Sequence, residues 1–237
     1  MKNFFKSSMM IVLLMTCQLA FAQDDIIREE RKVSGFSAVK ASGIANVYLQ
    51  KGSQEKVTVE VNDKELNDRL RIEVVNKVLV IRMEKTDRWN RKNDDFKLKV
   101  YVTYKDLNGL EGSGATNFYT EDQINADEFK LELSGANNSK LNINAKNLDI
   151  ETSGASNATI SGQADQVTIN SSGASNIKAY DLKAGEVKAE SSGVSNIYVS
   201  VEDTLEVHAS GLSNINYKGS AKVLTREVSK MANVKKH

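Results

Sequence analysis

Apolar and polar residues alternate along much of this chain. Val57-Thr58-Val59-Glu60-Val61 alternates cleanly, and so does Phe96-Lys97-Leu98-Lys99-Val100-Tyr101-Val102. A period of two places the apolar set on one face of a β-strand. Long stretches with apolar residues at helical spacing are missing, and there is no proline to remove a ladder donor. The pattern predicts an all-β protein. In the front part, Val33 to Val39 leads into Ile44-Ala45-Asn46-Val47-Tyr48-Leu49 as strand signals. Asp63 to Leu70 reads as one helical turn with Asn62 or Asp63 as N-cap. Leu70-Arg71-Ile72-Glu73-Val74 and Val78-Leu79-Val80-Ile81 flank Asn76-Lys77, the signature of a tight hairpin. Residues 23–32 are charged and expected to be flexible.

The second half is a repeat. Ser113-Gly114-Ala115-Thr116-Asn117 is followed by Ser134-Gly135-Ala136-Asn137-Asn138, Ser153-Gly154-Ala155-Ser156-Asn157 and Ser172-Gly173-Ala174-Ser175-Asn176. Ser192-Gly193-Val194-Ser195-Asn196 and Ser210-Gly211-Leu212-Ser213-Asn214 continue the series, and Ser229-Lys230-Met231-Ala232-Asn233 is a degenerate copy. Their second positions step by 21, 19, 19, 20, 18 and 19 residues. An upstream copy is Ser42-Gly43-Ile44-Ala45-Asn46. Apolar residues recur in phase before each motif: Phe129/Leu131, Leu148/Ile150, Val167/Ile169, Val187/Ala189, Leu205/Val207 and Leu224. Leu141, Ile160, Ala179, Val199 and Tyr217 recur after it. Each repeat thus reads as two or three short strands joined by tight turns.

Such a unit cannot bury its apolar face alone, but stacked copies bury a continuous core. At about 3.3 Å per residue one repeat has a contour of roughly 60 Å, enough for one coil of a solenoid. Coils stacked about 4.8 Å apart make six or seven repeats a rod about 30 Å long. Gly suits a sharp corner, and Ser and Asn bond backbone groups at turns. Stacked Asn side chains can form amide ladders, and an exposed Ser/Asn row is also what a repetitive binding face looks like. The row Asn117, Asn138, Asn157, Asn176, Asn196 and Asn214 is therefore a candidate contact surface as well as a structural corner.

The N-terminus narrows the setting. Lys2 and Lys6, the apolar run 9–15 and Ala20-Phe21-Ala22 form the charge, apolar and small-residue order of a secretory signal over residues 1–22. Cys17 follows Thr16, which fits lipidation less well than cleavage after Ala22. Loss of Lys2 and Lys6 would take the formal charge from +1 to −1. Nothing in that overall balance draws the chain strongly to nucleic acid or to an anionic membrane surface. The expected location is periplasm, outer-membrane surface or extracellular space.

The search for chemistry yields little. His208 and His237 have no partner at metal-ligand spacing, so no metal or other cofactor is expected. Gly112-Ser113-Gly114 lacks the lysine and helix of a phosphate loop. Asp94-Asp95, Asp122, Asp127/Glu128 and Glu202/Asp203 are candidates for acid/base work or calcium, but they do not recur in register. Asp203-Thr204-Leu205 is similar to a bacterial O-glycan acceptor tripeptide. The longest irregular stretch, 84–95, holds Trp89 between Arg88 and Arg91, a group that could stack on a sugar.

The leader, the Ser-Gly-Ile-Ala-Asn copy in the front segment and the entry Gly112-Ser113-Gly114-Ala115-Thr116-Asn117 into the ladder resemble the bacterial "putative auto-transporter adhesin, head GIN domain" family. The resemblance covers roughly residues 33–235. It implies a right-handed parallel β-helix, or β-solenoid, with coils of about 19 residues and extra N-terminal strands, exported across the inner membrane. Front strands would occupy 33–105 and repeat coils 106–235. The family brings no catalytic residues. Three readings follow: a non-enzymatic binding module for a glycan, matrix or protein partner; an envelope structural protein that self-associates; and a β-helix enzyme acting on polysaccharide.

Overall fold

The computed structural model describes residues 26–84 and 97–237. The front of the chain forms β1 (Ile27–Arg31), β2 (Ala38–Lys51), β3 (Lys56–Val61), the helix α1 (Lys64–Arg69), β4 (Leu70–Val75), β5 (Val78–Met83) and β6 (Leu98–Tyr104). The helix starts where Asp63 accepts a hydrogen bond from the Leu66 amide at 2.9 Å. The β4–β5 hairpin turns on Asn76 and Lys77, with φ of 51° and 63°. Both are left-handed, which a two-residue primed turn requires.

Downstream lie β7 (Gly109–Thr120), β8 (Ile124–Gly135), β9 (Asn138–Gly154), β10 (Asn157–Ser171), β11 (Asn176–Ser191) and β12 (Asn196–Ala209), then β13 (Asn214–Lys218), β14 (Lys222–Val228) and β15 (Asn233–Lys236). These stack in parallel as a β-solenoid of about seven coils. Equivalent repeat positions face one another: Asn138, Asn157, Asn176, Asn196, Asn214 and Asn233 form one column. β2 already belongs to this stack, since Ser42, Gly43 and Asn46 pair with Ser113, Gly114 and Asn117 of β7. On its other side β2 pairs in parallel with β5 and then β6, which together make one more layer. β3 and β4 lie antiparallel to β6 and β5, and β1 antiparallel to β3. The antiparallel strands cover the parallel edge at this end of the stack.

The core is built from inward columns. Leu110, Leu131, Ile150, Ile169, Ala189 and Val207 are in register and buried. Removing each large aliphatic side chain from water contributes about 1.5–3 kcal/mol. Tyr104 is also buried, its hydroxyl has no hydrogen-bond partner among the described residues, and burial pushes its phenol up to about 12.

Coils approach most closely at the motif corner. The amides of Ala136, Ala155 and Ala174 donate to the carbonyls of Gly114, Gly135 and Gly154 one coil earlier, each at 2.7 Å. Gly173 has φ of +80°, and a Cβ there would lie 2.5 Å from the Gly154 oxygen. Glycine is thus required both by the left-handed backbone and by the neighbouring carbonyl. At the degenerate copy Lys230 replaces glycine. The column ends there: among the described residues the Met231 amide makes no bond to the Gly211 carbonyl, and the next amide, of Ala232, donates locally to Ser229 O at 3.1 Å.

Three expectations are corrected. Ile27–Arg31, expected to be flexible, is a strand, because its alternating residues half-bury one side against β3. The repeat is not always split into short strands: β9 runs 17 residues in one element. Leu224, placed among the inward residues, is 52% exposed. The β12–β14 register slips between Leu205/Val223 and Glu206/Thr225, which leaves Leu224 outside the ladder.

Replacing Gly173 with Ala should lower stability by at least about 2 kcal/mol, since it forces a strained φ and a clash with backbone. Replacing the exposed Ala174 with Ser should change it by under about 0.5 kcal/mol. Urea unfolding followed by circular dichroism separates the two outcomes.

Candidate functional site

The five motif positions point in different directions. The fourth is buried in every coil from Thr116 to Ser213. Thr116 Oγ1, Ser156 Oγ and Ser195 Oγ each donate at 3.0 Å to the carbonyl three residues earlier, of Ser113, Ser153 and Ser192. Asn137 does the same through Nδ2 to Ser134 O at 2.8 Å. A buried carbonyl at the corner is thus satisfied by its own motif. The fifth position carries the amide ladder. Asn157, Asn176, Asn196 and Asn214 donate through Nδ2 to Oδ1 of Asn138, Asn157, Asn176 and Asn196 at 3.0, 3.0, 2.8 and 3.1 Å. Asn117 donates to Asn46 at 2.9 Å, and its Oδ1 accepts the Asn138 amide at 2.7 Å.

The first motif position and the residue two before it frame a groove of about 900 Å³ that runs along the coils. One wall is a serine column, Ser134, Ser153, Ser172, Ser192, Ser210 and Ser229. The other is a single register column: Glu111, Glu132, Glu151, Asn170, Glu190, His208 and Glu227. At the strand spacing of about 4.8 Å this acidic wall extends about 30 Å.

Cations hold these carboxylates. Lys40 pairs with Glu111 at 2.5 Å, Lys130 with Glu132 and with Glu151 (3.2 Å), and Lys188 with Glu190 at 2.9 Å. Hydrogen bonds to Glu132 and Glu151 raise the Lys130 ammonium above its ordinary range. The hydrogen bond from Lys188 lowers the Glu190 carboxyl. His208 Nδ1 lies 3.0 Å from Glu227 Oε2. Beside the wall, in register with Lys130, the Asp149 carboxyl is raised by burial and then by the Glu151 charge.

The family model for "putative auto-transporter adhesin, head GIN domain" matches residues 35–221. The chain belongs to this family. Among solved structures, a "putative adhesin" from Bacteroides fragilis superposes with a TM-score of 0.83 at 22% identity, covering 91% of this chain and 98% of that one. A "putative adhesin" from Parabacteroides distasonis gives 0.70 at 23%, covering 90% and 97%. A "putative lipid binding protein" from the same organism gives 0.62 at 19%, covering 89% and 96%. At these identities the likeness is one of fold. No curated protein matches the sequence.

In this head GIN domain the asparagines singled out from sequence are brought together in one column. Trp89, Arg88 and Arg91 lie outside the described residues, as do residues 1–22, with Cys17, and Asp94-Asp95. The asparagine column is in place, half-exposed to exposed, with its amides engaged along the ladder. Beside it, Tyr48 stacks on Tyr101 and on Tyr119 at 5.2 Å each, so that face also offers aromatic surface. Asp127 pairs with Lys146 at 2.9 Å and lies off the groove. The acidic column was missed, although its signal is in the sequence: a glutamate stands two residues before Ser113, Ser134, Ser153, Ser192 and Ser229.

The two polar rows should respond differently to truncation. Ser175→Ala leaves the Ser172 carbonyl without its partner and should cost about 1–2 kcal/mol. Asn176→Ala, at a half-exposed site, should cost under about 1 kcal/mol. Equilibrium unfolding of both variants checks the order; a larger loss at Asn176 would contradict it.

Proposed function

We propose that this head GIN domain is an exported, non-enzymatic binding module of adhesin type, and that its groove receives an extended, hydroxyl-rich partner, a neutral glycan. The observation that carries this reading is the acidic column facing a serine column over successive coils. Carboxylates accept hydrogen bonds from sugar hydroxyls, and serine both donates and accepts. Because polar side chains recur at every coil, glutamate at Glu132, Glu151, Glu190 and Glu227 and Asn170 or His208 between them, a linear polymer meets hydrogen-bonding groups at each step and gains from multiple weak contacts. The acidic wall disfavours polyanions. Membership of an adhesin family supports the binding role and a surface or exported location.

The Glu190 carboxyl favours binding over general-acid work. A general acid needs a carboxyl raised toward working pH. Glu190 is shifted the other way by Lys188. Glu132 and Glu151 share Lys130 as an ion-pair partner.

The test is binding of the protein to an array of neutral and acidic glycans and matrix proteins. A neutral-glycan hit should weaken at least about tenfold in the combined Glu132→Gln, Glu151→Gln, Glu190→Gln variant. Preference for sulfated glycans, or a hit untouched by these changes but lost in Trp89→Ala, would contradict the groove reading. A clean negative from folded protein would overturn the glycan assignment.

A further inference from the structure

Charge is unevenly spread between neighbouring coils. Residues 198–217 contain Glu202, Asp203 and Glu206 and no lysine or arginine. Residues 218–237 contain Lys218, Lys222, Arg226, Lys230, Lys235 and Lys236 against Glu227 alone. Glu227 is turned to the groove, where it pairs with His208. None of the six cations is in an ion pair among the described residues. Lys218 lies over the Tyr180 ring at 5.2 Å, and Arg226 donates to Val234 O at 3.1 Å.

The same region exposes large apolar side chains. The third motif position is alanine from Ala115 to Ala174, then Val194, Leu212 and Met231, which are 55%, 49% and 68% exposed. These sit on a solenoid corner and contribute nothing to the core. Leu224 is displaced from the ladder between the exposed Lys222 and Arg226, and Lys230 precedes Met231. Exposed leucine and methionine interleaved with unpaired cations match the chemistry of an anionic lipid interface: apolar tips enter between headgroups while ammonium and guanidinium groups meet phosphate.

We propose that the coil formed by residues 218–237, with the adjoining Val194 and Leu212 ridge, docks on an anionic membrane surface. The cations are distributed over the end of β13, β14, the corner and β15 and do not converge on a recess. That distribution suits a broad, laterally uniform charge better than a shaped acidic protein. Docking through this coil leaves most of the lateral groove free.

Sedimentation of the protein with vesicles tests this. Binding is expected to phosphatidylcholine vesicles containing phosphatidylglycerol, weakly or not at all to phosphatidylcholine alone, and to fall as salt rises. Lys235→Glu with Lys236→Glu should reduce it at least about tenfold, and Leu224→Ser with Met231→Ser should reduce it several-fold. All four positions are exposed, and circular dichroism checks that the variants fold. Vesicle binding equal to the parent in both variants would assign it to another part of the chain and overturn the proposal. Absence of vesicle binding, or capture by soluble polyglutamate alone, would also overturn it.

Discussion

Each corner glycine lies against the backbone of the glycine one coil earlier, and the rest of the molecule depends on that approach. The amide after the glycine donates to the preceding carbonyl, so the parallel ladder continues around the bend. A side chain at this point would hold the coils apart. With the corners in contact, the flat segments between them fall into one register. Aliphatic residues then form columns inside, and polar residues form columns outside. At Lys230 the glycine is lost, the inter-coil bond gives way to a local turn, and the regular corner stops.

Register is also what makes a candidate site. No single repeat contains an unusual constellation. A glutamate two residues before the motif and a serine at its start become opposing walls only because copies stack in phase. Lys40, Lys130 and Lys188 pair with four of the glutamates, and the carboxylate oxygens are suited to accepting hydrogen bonds. The same repetition changes character toward residues 218–237, where alanine at the third position gives way to valine, leucine and methionine and the surrounding charge becomes basic. One scaffold thereby offers a long acidic groove and a compact basic, apolar coil.

Much of this was legible in the sequence. The motif interval defined the coil, the Asn76-Lys77 pair defined a hairpin, and Asp63 defined a helix start. The asparagine amide ladder was one of two readings of its column. Other features depended on geometry that a linear reading does not carry. The buried fourth position resembles the exposed first one in residue type, since both are mostly serine, and only the corner bend separates them. The acidic column was overlooked because carboxylates were sought as neighbours along the chain, such as Glu202 and Asp203, and not at a fixed offset from the motif. Leu224 was misplaced because a one-residue slip in β14 reverses the side on which a residue falls. β1 was missed because its partner, β3, is an antiparallel strand outside the repeat.

The central claim is that the corners are backbone-bonded layers and not loops between strands. Native-state hydrogen exchange tests it residue by residue. The amides of Ala136, Ala155, Ala174, Val194 and Leu212 should exchange as slowly as those of the buried strand residues Ile150 and Ile169, with Met231 exchanging fast. Corner amides that exchange as fast as Met231, while Ile150 and Ile169 stay protected, would contradict the account.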